Sequence, residues 1–86
     1  MADDLRALEV RYFAAAADAA GCVKEVLEVP ESATVADVTR VLSARHGAGM
    51  DRVLKVAAYL VGDDLTRDES YPVGARIDVL PPFAGG

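Results

Sequence analysis

Polar and apolar residues alternate near the start of the chain, where Leu8, Val10 and Tyr12 are interleaved with Glu9 and Arg11. A period of two is that of a half-buried strand, and it predicts a strand over residues 6–13. Ala14 to Ala20 is alanine-rich and closes on Gly21, which predicts a short helix or helical turn ended by a glycine. From Val23 to Val29 the composition is again that of a strand, with Val23, Leu27 and Val29 on one face. Glu25 breaks that pattern. Pro30 stops the strand because it has no N–H for a ladder.

At Thr34 the period becomes helical. A hydroxyl followed three residues later by Asp37 has the form of a capping box. Val35, Val38, Val41, Leu42 and Arg45 then recur at helical spacing, with Asp37, Arg40 and Ser43 on the other side, and Gly47 and Gly49 are read as the end. Residues 55–61 read as a further strand, with Val56, Ala58 and Leu60 on one face. Gly62-Asp63-Asp64 is turn chemistry, and residues 65–70 hold a short edge strand or an irregular loop. After Pro72 and Gly74 the last strand runs over 75–80, with Ile77 and Val79 opposite Arg76 and Asp78. The expected fold is α+β, a mixed sheet of about five strands covered by one main helix. That order suggests a β-grasp (ubiquitin-like) arrangement. Composition does not separate it from a ferredoxin-like layout, but the end of the chain does.

Eighty-six residues suit one domain. Fourteen acidic residues against nine basic ones give a net charge of −5, and no lysine or arginine cluster offsets it, so a phosphate backbone would be repelled. No apolar run approaches the roughly 20 residues that cross a bilayer. The opening Met1-Ala2-Asp3-Asp4 is acidic where a signal peptide is basic, so a cytoplasmic location is expected. Cys22 and His46 are the only cysteine and histidine, too few to assemble a zinc site. Cys22 lacks the setting of a reactive thiolate and reads as structural. His46, near the end of the helix, suits the helix dipole. Ser32, Ser43 and Ser70 stand in no nucleophile elbow, and no glycine-rich phosphate loop is present. The chain carries no self-contained active site, and neither a bound cofactor nor a metal is expected.

Its chemistry is expected in the last residues, Leu80-Pro81-Pro82-Phe83-Ala84-Gly85-Gly86. Pro81 and Pro82 end the ladder and favour an extended chain. Six extended residues reach about 20 Å. Gly85 and Gly86 carry no side chain, so such an end fits a channel too narrow for a Cβ. It would deliver the Gly86 carboxylate to another protein's active site. A carboxylate is a poor electrophile and must be activated, for instance by adenylation. Nothing in the chain binds ATP, so a partner must supply that step. Leu80, on the face opposite Ile77 and Val79, would form with Phe83 an apolar docking patch at the root of this tail.

The ending Val79-Leu80-Pro81-Pro82-Phe83-Ala84-Gly85-Gly86 resembles that of the MoaD/ThiS family of sulfur carriers, closest to its molybdopterin synthase small-subunit branch. Val10-Arg11-Tyr12-Phe13-Ala14 followed by Gly21, and the turn glycine Gly74, are similar to that family as well. The resemblance covers essentially residues 1–86 as one carrier domain, with 81–86 a projecting tail. The stretch Leu60-Val61-Gly62-Asp63-Asp64 departs from the Asn-Gly type of turn that many members carry. The resemblance implies that Gly86, with Gly85 before it, is adenylated by an activating enzyme of the MoeB/ThiF kind, which uses ATP, and becomes a thiocarboxylate. The tail would then enter the large subunit of molybdopterin synthase, which is MoaE-like, and give its sulfur to a pterin precursor. Leu80, Pro81, Pro82, Phe83 and Ala84 would contact these partners. The alternatives are a carrier for thiamin thiazole or cysteine biosynthesis, a ubiquitin-like modifier of target lysines, and a plain interaction domain.

Overall fold

The computed structural model describes residues 4–82. Five strands form one mixed sheet: β1 (Leu5–Tyr12), β2 (Lys24–Pro30), β3 (Ala58–Val61), β4 (Asp64–Thr66) and β5 (Arg76–Leu80), in the spatial order β2-β1-β5-β3-β4. The β1–β5 pair is parallel and the other three pairs are antiparallel. Three helices complete the order, α1 (Ala15–Ala20) between β1 and β2, then α2 (Val35–His46) and α3 (Ala48–Val56) before β3.

Alternation decides which face of the sheet is covered. Leu8, Val10 and Tyr12 of β1, Leu27 and Val29 of β2, Tyr59 and Val61 of β3, and Ile77 and Val79 of β5 are buried, and they meet Val35, Val38 and Leu42 of α2 and Met50 of α3 in one core. Each aliphatic side chain taken fully out of water there stabilises the fold by roughly 1.5–3 kcal/mol. Among the described residues no helix lies on the other face of the sheet.

The start of α2 is satisfied from two directions. The Thr34 N–H donates to the Asp37 carboxylate at 2.9 Å, within the expected capping box. The Val35 and Ala36 N–H groups donate to the carbonyls of Tyr71 and Glu69, both at 2.9 Å, so the 69–71 loop closes the helix end. Arg6 holds the next stretch of that loop, donating to the Val73 and Gly74 carbonyls at 2.6 Å.

Three sequence expectations are corrected. Residues 48–56 are helical rather than the approach to a strand, so two helices instead of one main helix carry the cover, and Gly49 lies inside α3. Met50, Val53 and Leu54 sit at helical spacing and pack on the core. The strand begins at Ala58, and Ala58 and Leu60 lie on the outer face while Val56 is exposed at the end of α3. Val23 precedes β2 and is 70% exposed, so it does not join Leu27 and Val29.

Candidate functional site

The last strand passes through the middle of the sheet. Arg76, Asp78 and Val79 stand opposite Glu9, Arg11 and Tyr12 of β1, and Asp78 and Leu80 stand opposite Leu60 and Ala58 of β3. The Phe13 N–H donates to the Val79 carbonyl at 3.3 Å and carries the pairing to the end of the strand. Leu80 is half-buried, Pro81 buried and Pro82 exposed. Of the expected tail, 81–86, these two prolines are the part that is described. Continued alternation from Ile77 and Val79 carries Pro81 to the core side, and Pro82 is the first position in the open. Phe83, Ala84, Gly85 and Gly86 lie outside the described residues.

The outer face beside this root is built from paired residues. The Arg11 guanidinium donates to both carboxylate oxygens of Asp78 at 2.8 Å, and Asp78 is buried although it points away from the core. The hydrogen bond to Asp78 holds the Arg11 pKa above its ordinary value, against a smaller effect of desolvation. Arg11 also lies 5.9 Å from the centroid of the Phe13 ring, within cation–π reach. On the other flank Leu60 faces Leu65 across β3 and β4, and Ala58 faces Leu80. Leu65 is 65% exposed, so this apolar flank is open to a partner. The sequence reading anticipated Leu80 here but missed Leu60 and Leu65. The signal was the parity of β3, in which Tyr59 and Val61 claim the core.

Ala14 bends the chain between β1 and α1 at φ 51°, ψ −128°, and is the one non-glycine residue with positive φ among the described residues. The Ala16 N–H closes this turn on the Phe13 carbonyl at 3.0 Å. An L-residue is strained there. The strain is stored beside the Phe13–Val79 contact that ends β5.

A second polar group lies between β1, β2 and the end of α2. Glu25 accepts from the Tyr12 hydroxyl at 2.5 Å and forms an ion pair with Arg45, whose Nε lies 2.7 Å from its Oε1, and His46 Nε2 lies 2.6 Å from its Oε2. Burial opposes ionisation of Glu25, but these hydrogen bonds and the charges of His46 and Arg45 outweigh it and hold its pKa below the usual carboxylate value. Burial, then the bond to Glu25, raises the Tyr12 pKa. The break that Glu25 makes in the strand pattern is thus the place where the sheet is tied to α2. His46 is one of the ties rather than a simple partner of the helix dipole.

Among the described residues no group of three or more His, Cys, Asp or Glu could hold a metal ion, and no buried side-chain polar atom lacks a partner. Cys22 is a half-buried free cysteine packed against the core. No helix among these residues is long and apolar enough to cross a membrane. The described body thus offers an open apolar flank beside a strand that leads toward the C-terminal residues.

The family model described as the ThiS family matches residues 10–86. A protein of Chlamydomonas reinhardtii named molybdopterin synthase sulfur carrier subunit is 27% identical over 82 residues, which is 92% of this chain and 98% of that protein. Among solved structures, SAMP1 from Haloferax volcanii superposes with a TM-score of 0.78 at 24% identity, covering 94% of this chain and 100% of its own. The small archaeal modifier protein 1 of Methanosarcina acetivorans gives a TM-score of 0.73 at 22% identity, covering 96% of this chain and 99% of its own. The β-grasp arrangement is the fold that these structures share with this chain.

Proposed function

Because this chain belongs to the ThiS family, we propose that it is a sulfur carrier with Gly86 as its reactive carboxylate and that it acts as the small subunit of molybdopterin synthase. The observation that carries this reading is that the family match runs from the body through the Pro81-Pro82 and Gly85-Gly86 end. The name of the Chlamydomonas relative supports the choice of acceptor.

In this reading residues 1–86 form one carrier domain, and the tail leaves it at Pro82. A carboxylate oxygen of Gly86 attacks the α-phosphorus of ATP inside an adenylating enzyme, and pyrophosphate leaves. A sulfur nucleophile then displaces AMP from the acyl-adenylate, giving the thiocarboxylate. The tail next enters the large synthase subunit and donates the sulfur to a pterin precursor. The carrier holds no cofactor of its own and catalyses nothing alone, since both steps use groups that partners bring. The face with Leu60, Leu65 and Leu80 docks those partners, and Pro81 and Pro82 set the direction in which Phe83, Ala84, Gly85 and Gly86 are offered. Dependence on ATP and on these enzymes puts the work in the cytoplasm.

The test is intact mass spectrometry after incubation with ATP, a sulfur source and an activating enzyme, followed by addition of the large subunit and pterin precursor. A product heavier by the sulfur-for-oxygen difference, mapped to Gly86 and consumed by the second mixture, is expected. Thiocarboxylate that only a thiazole- or cysteine-forming system consumes would replace the acceptor. High-mass conjugates on lysines would replace the carrier by a modifier, and an unchanged mass would overturn activation itself.

A further inference from the structure

The sheet ends in two unlike edges. One is β4, only three residues long. The other is β2, seven residues long, which among the described residues pairs with β1 alone. A long edge presents a row of unpaired N–H and C=O groups, a template for another strand.

Pairing with β1 fixes which groups of β2 are free. The Tyr12 N–H donates to the Val23 carbonyl at 2.8 Å, and the Glu31 N–H donates to the Asp4 carbonyl at 3.0 Å. In an antiparallel ladder hydrogen-bonded pairs alternate, so Glu25, Leu27 and Val29 turn their backbone groups toward β1. Lys24, Val26 and Glu28 turn theirs outward. All three are exposed, and Val26 is 62% exposed at the centre of the strand.

We propose that β2 is a self-pairing edge, through which two copies of this chain join antiparallel about a two-fold axis at Val26 to make one continuous sheet. Val26 then faces Val26 of the second copy, and Lys24 faces Glu28 on both sides of the axis. Each of these three residues donates and accepts a backbone hydrogen bond with groups that are otherwise free. A slip of two residues brings Lys24 opposite Val26, or opposite Pro30, which has no N–H, and loses the charge pairs. A slip of one residue sets free groups against groups already bonded to β1 and opposes outward side chains to inward ones. A lysine and a proline usually guard an edge, but here Pro30 only ends the strand and Lys24 has its complement in Glu28. The net charge of −5 on each copy opposes association, and the Lys24–Glu28 pairs offset it locally. One edge buries little area, so the dissociation constant is expected on the order of 100 μM. β1 separates β2 from β5, so the root of the tail stays uncovered.

The test combines sedimentation equilibrium of the full chain up to millimolar concentration with concentration-dependent amide exchange. The amides of Lys24, Val26 and Glu28 are expected to gain protection as concentration rises, and those of Glu25 and Leu27 to stay unchanged. Glu28→Lys reduces the net charge from −5 to −3 (−5 + 2 = −3), so charge repulsion alone would make it associate more tightly. Pairing predicts dissociation about tenfold easier instead, because the introduced lysine would meet Lys24 of the second copy. The double substitution K24E/E28K restores both the charge and the pairing and is expected within about threefold of the original. Circular dichroism confirms that each variant folds, and the exchange pattern of the unsubstituted chain decides alone if one does not. A monomer at millimolar concentration, tighter association of Glu28→Lys, or protection confined to another surface would each overturn the proposal.

Discussion

Arg11 and Asp78 stand opposite each other on parallel strands and share two hydrogen bonds of 2.8 Å on the face of the sheet turned away from the described helices. The pair is unequal, with the Asp78 side chain 5% exposed and that of Arg11 38%. The guanidinium acts as a cover for a carboxylate that has little other access to water. Arg11→Ala strips both donors from a nearly buried charge, and a measurable loss of stability is expected, smaller than for a fully buried pair because solvent screens the arginine. Replacing both residues with leucine is expected to cost less than Arg11→Ala alone. Urea titration of the two variants checks this, and a larger loss in the double variant would show that the pair itself is the source of stability.

The Glu25 group makes stability depend on pH. Its folded pKa lies below the ordinary carboxylate value. Such a group contributes fully above its unfolded value of about 4.3, and that contribution is lost as pH falls through the folded value. Asp37, held down first by the Thr34 N–H, and Asp68, held down first by the Ser70 hydroxyl, act in the same direction. The chain is expected to lose stability below about pH 5. Glu25→Gln should lower stability at neutral pH by on the order of 1 kcal/mol and make the acid limb shallower. Urea midpoints at neutral and acid pH give the slope, and equal slopes in the two proteins would remove Glu25 from the acid response.

The periods of two around Val10 and Val79, and of 3.6 from Val35 to Leu42, survive because each segment has one buried face. Residues 48–56 did not read correctly because Gly47 and Gly49 look like breakers. Gly47, at φ 81°, instead joins the end of α2 directly to the start of α3, and Gly49 falls in the first turn, where its cost is small. The Met50, Val53 and Leu54 spacing was the signal, and the β-branched Val56 drew the strand back over it. Glu25 was visible only as a broken pattern, since its partners Arg45 and His46 come from another element. Of the candidate site, Leu80 was legible from alternation. Arg11–Asp78 and Leu60–Leu65 depend on strand order, which no local pattern states.

Ala14 offers a stabilising change. Its φ of 51° imposes on an L-residue a strain that glycine escapes. Strain of on the order of 1–3 kcal/mol would be relieved by Ala14→Gly, against roughly 0.5–1 kcal/mol of added chain entropy. A net gain of about 1 kcal/mol is expected, raising Tm by about 4–8 °C in a domain of this size. Calorimetry reads this directly, and a lower Tm would mean that the turn carries no strain.

The outer leucines separate docking from folding. Leu65 is 65% exposed, so Leu65→Asp should change stability by no more than about 0.5 kcal/mol. Val79, fully buried on the other face of the sheet, is expected to cost about 1–3 kcal/mol as Val79→Ala through lost burial and the cavity left behind. Leu80 lies between these limits, half-buried at the root of the tail, so Leu80→Asp mixes the two effects and Leu65→Asp is the cleaner probe. If the outer face docks the activating enzyme, Leu65→Asp should weaken binding about tenfold, the equivalent of about 1.4 kcal/mol, whereas Val79→Ala should leave affinity unchanged wherever the variant remains folded. Calorimetric titration against the activating enzyme, paired with thermal melts, reads both quantities on the same samples. Unchanged affinity in Leu65→Asp would move the docking surface away from the leucine flank and toward Arg11 and Phe13, which lie across β5 from it.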